Sequence, residues 1–514
     1  MSITHGLHRW IQRRPERLAT SFEGTRRSWA ELGERVARLA GGLRSLGLAR
    51  GERIAVLLPN RDSYLELYFA SAWLGAAIVP LNTRWSEAEN LFALSDCGPR
   101  MLVFDDTFAH LVPGLLKALP GLLAIHIGDH SPLPGLIDYE ALIAGGETVP
   151  DVEAGPEELA GIFYTGGTTG RSKGVMLSHR NLQSGAISLA REYGDCSEDI
   201  YLHAGPMFHL GDVGVTFALM LSGAAHVMLR SFTPQGFAEA VANEGVTEAA
   251  LVPTMLQMLI DSADFGSFDL GRLRRIAYAG SPMPPALLDR AMDLLPQVDF
   301  MQIYGMTELA PVATVLAPQD HRGAAREAGL HRSVGRATAN VDVRIADPDG
   351  QTLMPGAMGE ILVRGDNVMQ GYWERPEETT AALAGGWMHT GDAGWMDQRG
   401  YVFLVDRVKD MIITGGENVY SAEVEACLAA HPAVMQCAVI GVPDPKWGET
   451  VHAVVVCRPG TSLEPAEIIV FCRERIAHYK CPRSAEVRSQ PLPLSGVGKV
   501  MKQVLRQEMA ARQT

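Results

Sequence analysis

From about residue 28 the chain alternates helical and strand patterns, and no other feature narrows its fold as much. Val36, Leu39, Leu43 and Leu46 recur at helical spacing. The preceding Ser28-Trp29-Ala30-Glu31 is a capping box, whose hydroxyl and carboxylate satisfy amides left free at a helix start. Residues 53–58 (RIAVLL) then read as a buried strand ended by Pro59-Asn60. A second capping pattern, Ser63-Tyr64-Leu65-Glu66, is expected to open the next helix, and residues 86–89 another. Residues 77–79, 101–104, 226–229, 249–252 and 275–279 read as further strands with apolar helices between them. Such alternation predicts an α/β fold, with layers built on mostly parallel sheets.

The texture changes near residue 341. Short strands at 341–346, 359–365 and 401–406 are separated by Asp-Pro-Asp-Gly, Pro-Gly and Arg-Gly turns, which predicts a small β-barrel-like antiparallel region. Beyond it a tail carries its own strands and helices and reads as a small, mobile α+β domain. The expected division is 1–406 and 407–514, with a hinge near Lys409. The charged Asp-Arg-Val-Lys-Asp run there suits a hinge better than a flexible tether.

At 514 residues, 47% apolar and 20% charged, the chain can bury several cores. Its 45 basic and 59 acidic side chains leave a net charge of −14, which excludes a broad electrostatic grip on nucleic acid or anionic membrane. Any polyanionic ligand must meet a few local cations. The apolar stretches 70–81 and 215–229 fall short of a transmembrane segment, and the first residues lack a secretory h-region. Seven cysteines form no CxxC pair and leave an odd count, so a cytoplasmic protein in a reducing compartment is expected.

The sharpest chemical signal is Tyr164-Thr165-Gly166-Gly167-Thr168-Thr169-Gly170-Arg171-Ser172-Lys173-Gly174, directly after the apolar run 159–163. Its glycines let consecutive amides point at anionic oxygens, while the hydroxyls, Arg171 and Lys173 add donors and charge. That composition suits a triphosphate. It is not a Walker A loop, because Gly170 is followed by Arg171 rather than by Lys-Ser/Thr. The chain also has no G-x-G-x-x-G after a strand and no G-x-S-x-G elbow, so oxidoreductase and serine-hydrolase readings fail.

This segment closely resembles the phosphate loop of the AMP-forming acyl-CoA synthetases, members of the adenylate-forming superfamily. The resemblance runs in order from about residue 28 to Lys499. It takes in Tyr304-Gly305-Met306-Thr307-Glu308, Ser333-Val334-Gly335-Arg336, residues 359–365 and Trp387-Met388-His389-Thr390-Gly391-Asp392. It continues through Asp406-Arg407-Val408-Lys409-Asp410, Gly415-Gly416-Glu417-Asn418 and Gly496-Val497-Gly498-Lys499.

The resemblance implies a role for each element. Thr165, Gly166, Gly167, Thr168, Thr169, Gly170 and Lys173 would hold ATP phosphates. Thr307 and Glu308, after a predicted strand at 300–303, would hold Mg²⁺ against them through hard oxygen donors. Tyr304 would offer a flat face to adenine, with Gly280, Ser281 and Pro282 as the opposite wall. Asp392 would accept from the ribose hydroxyls with Arg407 assisting. Lys499 would offset the repulsion between the acid and the α-phosphate, and its loss is expected to cost about 3–4 kcal/mol in the first half-reaction. The tail is expected to take two orientations about Lys409, one presenting Lys499 and the other lining a coenzyme A path with Gly415, Gly416 and Glu417. The implied reaction joins a carboxylic acid to AMP with release of pyrophosphate and then moves the acyl group to coenzyme A.

His209, within Met207-Phe208-His209-Leu210-Gly211, resembles a residue bordering the acyl carboxylate; a satisfied core histidine is an equal reading. The expected acyl pocket is apolar: Met207, Leu210, Val213, Tyr278, Ile303, Met306, Leu309, Ala310 and Val312. It favours a hydrophobic monocarboxylate, a fatty acid ahead of an aromatic one. Gly166 stands where many relatives have serine, which removes one hydroxyl donor and keeps the amide. Asp212 is expected to place a carboxylate at the mouth of this pocket, which keeps an amino-acid substrate open. A carrier-protein acceptor and a benzoate- or cinnamate-type acid are the alternatives, and a homodimer is an open expectation.

Overall fold

The computed structural model describes residues 1–128, 135–165, 172–407, 410–414, 417–494 and 500–513, without the side chains of Arg407, Asn418 and Gln513. Two large sheets dominate the first four hundred residues. Among the described residues the first has nine strands, in the order Arg336–Ala337, Thr314–Leu316, Asp299–Tyr304, Arg275–Tyr278, Glu248–Leu251, Ile200–His203, Ala225–Met228, Leu18–Phe22 and Thr25–Ser28. The second has eight, in the order Gly371–Tyr372, Lys173–Ser178, Leu159–Thr165, Ala77–Pro80, Arg53–Leu57, Met101–Asp105, Leu123–Ile127 and Ile137–Asp138. The central pairings are parallel, with antiparallel pairings of Asp299–Tyr304 to Thr314–Leu316 and of Leu159–Thr165 to Lys173–Ser178 toward the edges, and the central strands read as unbroken apolar runs. Ile54, Ala55, Val56 and Leu57 accordingly have no exposed surface.

Helix starts follow the capping chemistry expected at two of three places. Ser28 and Ser86 each accept from the amide three residues on, and Glu31 and Glu89 close their boxes. The third expectation is corrected. The cap of Ser63–Trp73 is Asp62, which accepts from the Ser63 amide. Glu66 is withdrawn into the core instead, where Arg35 donates to both its oxygens at 2.6 and 3.2 Å and the Tyr139 hydroxyl donates at 2.8 Å. Every residue of that helix is buried, so a solvated capping carboxylate has no place on it.

The antiparallel region is a four-stranded sheet of Val341–Ala346, Gly359–Gly365, Met388–Met396 and Val402–Arg407. Between its second and third strands the chain leaves to add Gly371–Tyr372 to the edge of the eight-stranded sheet. The tail builds a five-stranded sheet around the hairpin Val434–Asp444 and Gly448–Cys457, flanked by helices Ser421–Ala429, Pro465–Arg473 and Lys502–Gln513. All seven cysteines are free thiols. No helix among the described residues is long and apolar enough to cross a membrane.

Candidate active site

The segments on either side of the phosphate-type loop form a hairpin. Leu159–Thr165 and Lys173–Ser178 pair antiparallel, with Thr165 opposite Lys173, so the hairpin brings both ends of the loop together. Gly166, Gly167, Thr168, Thr169 and Gly170 lie outside the described residues, and so do Lys409, Gly415, Gly416 and Lys499.

The turn bearing Thr307 and Glu308 leaves the carboxyl end of Asp299–Tyr304, in the crevice where open α/β sheets bind ligands. Both residues are buried. Gly305 is required just before them, since a Cβ there would sit 1.9 Å from the Pro311 carbonyl oxygen. One segment braces this turn. Asn367 donates to the carbonyls of Leu309 at 2.9 Å and Val312 at 2.6 Å, and the Met369 amide donates to the Glu308 carbonyl at 2.9 Å. The Tyr372 hydroxyl then donates to Glu308 Oε1 at 3.0 Å.

The same segment grips the loop hairpin. Gly371 and Tyr372 pair with Met176 and Val175, and the Trp373 amide donates to the Gly174 carbonyl at 2.7 Å. A side chain at Gly174 would meet Ile162 at 2.7 Å, so only glycine allows the approach. The ammonium of Lys173 stands 4.9 Å from the centre of the Tyr372 ring. Residues 367–373 therefore tie the hairpin under the phosphate loop to the Glu308 turn. Sequence reasoning missed this strap, because Asn-Val-Met-Gln-Gly-Tyr-Trp looks like an apolar turn between two strands. Its one local signal is Asn367, a polar residue with no exposed surface.

Tyr304 and Asp392 are brought together, the tyrosine hydroxyl donating to Asp392 Oδ2 at 2.8 Å. Asp392 is buried on the strand Met388–Met396, opposite Arg407 in register. Glu360 Oε1 accepts the Gly391 amide at 2.9 Å and Thr390 accepts the Asp392 amide at 3.1 Å, which fixes the turn before the carboxylate. Gly280, Ser281 and Pro282 follow Arg275–Tyr278, the parallel neighbour of Asp299–Tyr304. They thus share the sheet's carboxyl edge with Tyr304, and Gly280 is in the left-handed region at φ +87°.

On the acid side, His209 caps the helix Leu210–Ser222, its Nδ1 accepting the Gly211 amide at 3.1 Å. The neutral ring therefore carries its proton on Nε2, as a donor. Met207, Leu210, Val213, Leu309 and Ala310 are buried in one cluster with Met306 packed against it. Tyr278 lies in a second cluster, its hydroxyl donating to His321 Nε2 at 2.8 Å. Burial pulls His321 down to about 4, so it is neutral and its Nδ1 donates to the Ala317 carbonyl. Ile303 and Val312 belong to a third cluster.

The expectation for Asp212 is overturned. It is 5% exposed and points into the interior, where it accepts from the Tyr201 hydroxyl at 2.9 Å and pairs with His203 Nδ1 at 2.7 Å. His203 Nε2 in turn meets His226 Nδ1 at 3.0 Å. The residue lies in the first turn of a buried helix, on the face that meets Tyr201 and His203. This removes the one sequence feature that kept an amino-acid substrate open.

Lys499 is followed by a strongly anchored helix. Lys502 donates to Ser421 Oγ at 2.5 Å and pairs with the half-buried Glu425 at 2.7 Å, while Ser421 donates to Asp406 Oδ2 at 2.6 Å. Glu417 is exposed in the short strand Glu417–Val419.

With this geometry, residues 7–373 match the family model of the AMP-binding enzymes and residues 423–499 that of the AMP-binding enzyme C-terminal domain. The chain belongs to this family, and within it is an AMP-forming acid–thiol ligase. It is 41% identical over 502 residues to a feruloyl-CoA synthase of Amycolatopsis sp, covering 97% of this chain and 98% of that one. It is 38% identical over 515 residues to an indoleacetate–CoA ligase of Aromatoleum aromaticum, covering 99% of both. The crystal structure of ATP-bound MatB from Rhodopseudomonas palustris superposes with a TM-score of 0.88 at 31% identity, over 99% of both chains.

Proposed function

We propose that this ligase activates a monocarboxylic acid with an aromatic body, joining it to AMP and then passing the acyl group to coenzyme A. The observation that carries the reaction is that the buried Thr307–Glu308 turn is tied to the Tyr304–Asp392 pair by its own strand and to the loop hairpin by the segment 367–373, so that elements of three sheets are held together. The aromatic acid moves ahead of the fatty acid because both named ligases above carry aryl acids in their names. Supporting it on the protein side is a wall of Met207, Leu210, Val213, Leu309 and Ala310 that offers no buried cation to a second carboxylate.

Activation is needed because a carboxylate is a poor electrophile. In this reading Tyr304 packs on adenine across from Gly280, Ser281 and Pro282, and Asp392 receives the ribose hydroxyls with Arg407 opposite it. Lys173, beside Thr165, serves the phosphates, and His209 Nε2 donates to the acid. Magnesium fits the donor set: Thr307 and Glu308 supply hard oxygens, and no group of three carboxylate, histidine or cysteine side chains among the described residues could form a dedicated cage. A single carboxylate with substrate oxygens is the usual arrangement for that ion. Bound there, the ion would neutralise charge developing on the phosphates. We place the division of the chain at 1–406 and 407–514, with Lys409 the hinge and Gly415, Gly416 and Glu417 on the coenzyme A path. Seven free thiols support a reducing cytoplasm as its compartment. A homodimer is a separate proposal that light scattering decides.

The test is pyrophosphate release across arylpropenoic, arylacetic, benzoic, fatty and amino acids, with hydroxylamine trapping and coenzyme A as a variable. The expected result is release with an aryl acid and thioester formation only with coenzyme A. Release confined to amino acids overturns the acid, and thioester formation only on a carrier protein overturns the acceptor. In the same assay Lys499→Ala is expected to slow adenylation by about 10²–10³-fold and to leave thioester formation from supplied acyl-adenylate nearly intact.

A further inference from the structure

We infer that Tyr372 is a positioning residue that sets the metal-side carboxylate and the phosphate-loop lysine in one geometry. The inference rests on the nucleotide-binding reading above and extends it to a residue outside the resemblance motifs. Two contacts of different chemistry meet on this side chain. Its hydroxyl donates to Glu308 Oε1 at 3.0 Å, and the face of its ring lies 4.9 Å from the Lys173 ammonium. A hydroxyl held by a carboxylate fixes that carboxylate's rotamer. A ring under an ammonium holds it by its quadrupole without neutralising it, so the charge remains available to a phosphate.

The backbone makes the placement rigid. Tyr372 is in register with Val175, two residues beyond Lys173, and its amide donates to Thr379 Oγ1 at 2.9 Å. The neighbouring Trp373 is fixed at both ends, its amide on the Gly174 carbonyl and its indole N–H on the Asp96 carbonyl at 3.0 Å. This one side chain touches both groups and so couples the carboxylate to the ammonium.

The two contacts separate experimentally. Tyr372→Phe removes the hydroxyl and keeps the ring; Tyr372→Leu removes both. ATP binding is measured by calorimetry with Mg²⁺ and with EDTA, alongside initial-rate kinetics and thermal unfolding. Tyr372→Phe is expected to weaken ATP binding about tenfold in Mg²⁺ and not in EDTA, and to raise the Mg²⁺ concentration for half-maximal rate with KM for the acid unchanged. Tyr372→Leu is expected to weaken binding in EDTA as well. Added to Glu308→Gln, the Phe change is expected to cost nothing further in Mg²⁺. Equal weakening of Tyr372→Phe in Mg²⁺ and in EDTA, or unchanged Mg²⁺ dependence while the wild type binds Mg·ATP normally, overturns the inference. If the wild type itself takes up no Mg·ATP, the underlying reading fails instead.

Discussion

Glu308→Gln is expected to slow acyl-adenylate formation by about 10²–10³-fold, or about 3–4 kcal/mol, the usual effect of deleting one preorganised electrostatic contact to the reacting phosphates. The substitution keeps the size of the side chain and an oxygen able to accept from Tyr372, so the turn at Thr307–Leu309 should hold its shape. Its backbone anchors, from Asn367 and Met369, do not involve the carboxylate. What is lost is the negative charge. A neutral amide is a poor partner for a hard divalent ion, so the defect should fall on pyrophosphate release, with the unfolding temperature unchanged. Thioester formation from supplied acyl-adenylate needs no triphosphate and should change much less. A variant that releases pyrophosphate at the wild-type rate would place the metal elsewhere.

Arg35→Met is expected to destabilise the protein by about 3–5 kcal/mol, because it strands a buried carboxylate. Glu66 is 1% exposed. Arg35 bonds it through two nitrogens and also reaches both oxygens of Glu140 at 3.0 and 2.7 Å. With the arginine gone, Glu66 keeps the Tyr139 hydroxyl and little else to offset its desolvation. Urea unfolding followed by tryptophan fluorescence reads the loss as a lower midpoint. The double variant Arg35→Met/Glu66→Leu should recover much of it, since removing both charges leaves neither buried alone. A double variant no more stable than the single one would mean that the arginine acts through packing of its stem.

The sequence made the layers legible because helix and strand periods differ, and the parallel strands carry unbroken apolar runs. It also singled out Tyr304, Thr307, Glu308 and Asp392, which sit in short motifs and which the fold holds together through the Tyr304–Asp392 bond and a single strand end. It failed where the deciding fact was a contact between distant segments. Ser63 and Glu66 have the spacing of a capping box, yet Glu66 belongs to Arg35, far away in the chain. Asp212 follows a pocket motif and looked like part of it, but helical rotation turns it toward His203 and Tyr201. The strap 367–373 was invisible for the same reason, since a strand only two residues long, Gly371–Tyr372, takes its meaning from the edge it joins. The apolar group expected at the acid divides in the fold: Met207, Leu210, Val213, Leu309 and Ala310 share one cluster with Met306 against it, whereas Tyr278, Ile303 and Val312 pack elsewhere.

The inward turn of Asp212 has a practical consequence for anyone wishing to redirect this catalyst to another acid. The helix Leu210–Ser222 is rooted from beneath through that carboxylate, and its neighbours Leu210 and Val213 face the apolar cluster. If the acid binds against this cluster, as proposed, exchanging those two for smaller or larger hydrocarbons is expected to retune substrate choice while the root stays in place. Exchanging Asp212 itself would leave Tyr201 and His203 without their shared acceptor in the interior. Selection libraries should therefore vary 210 and 213 and hold 212 constant.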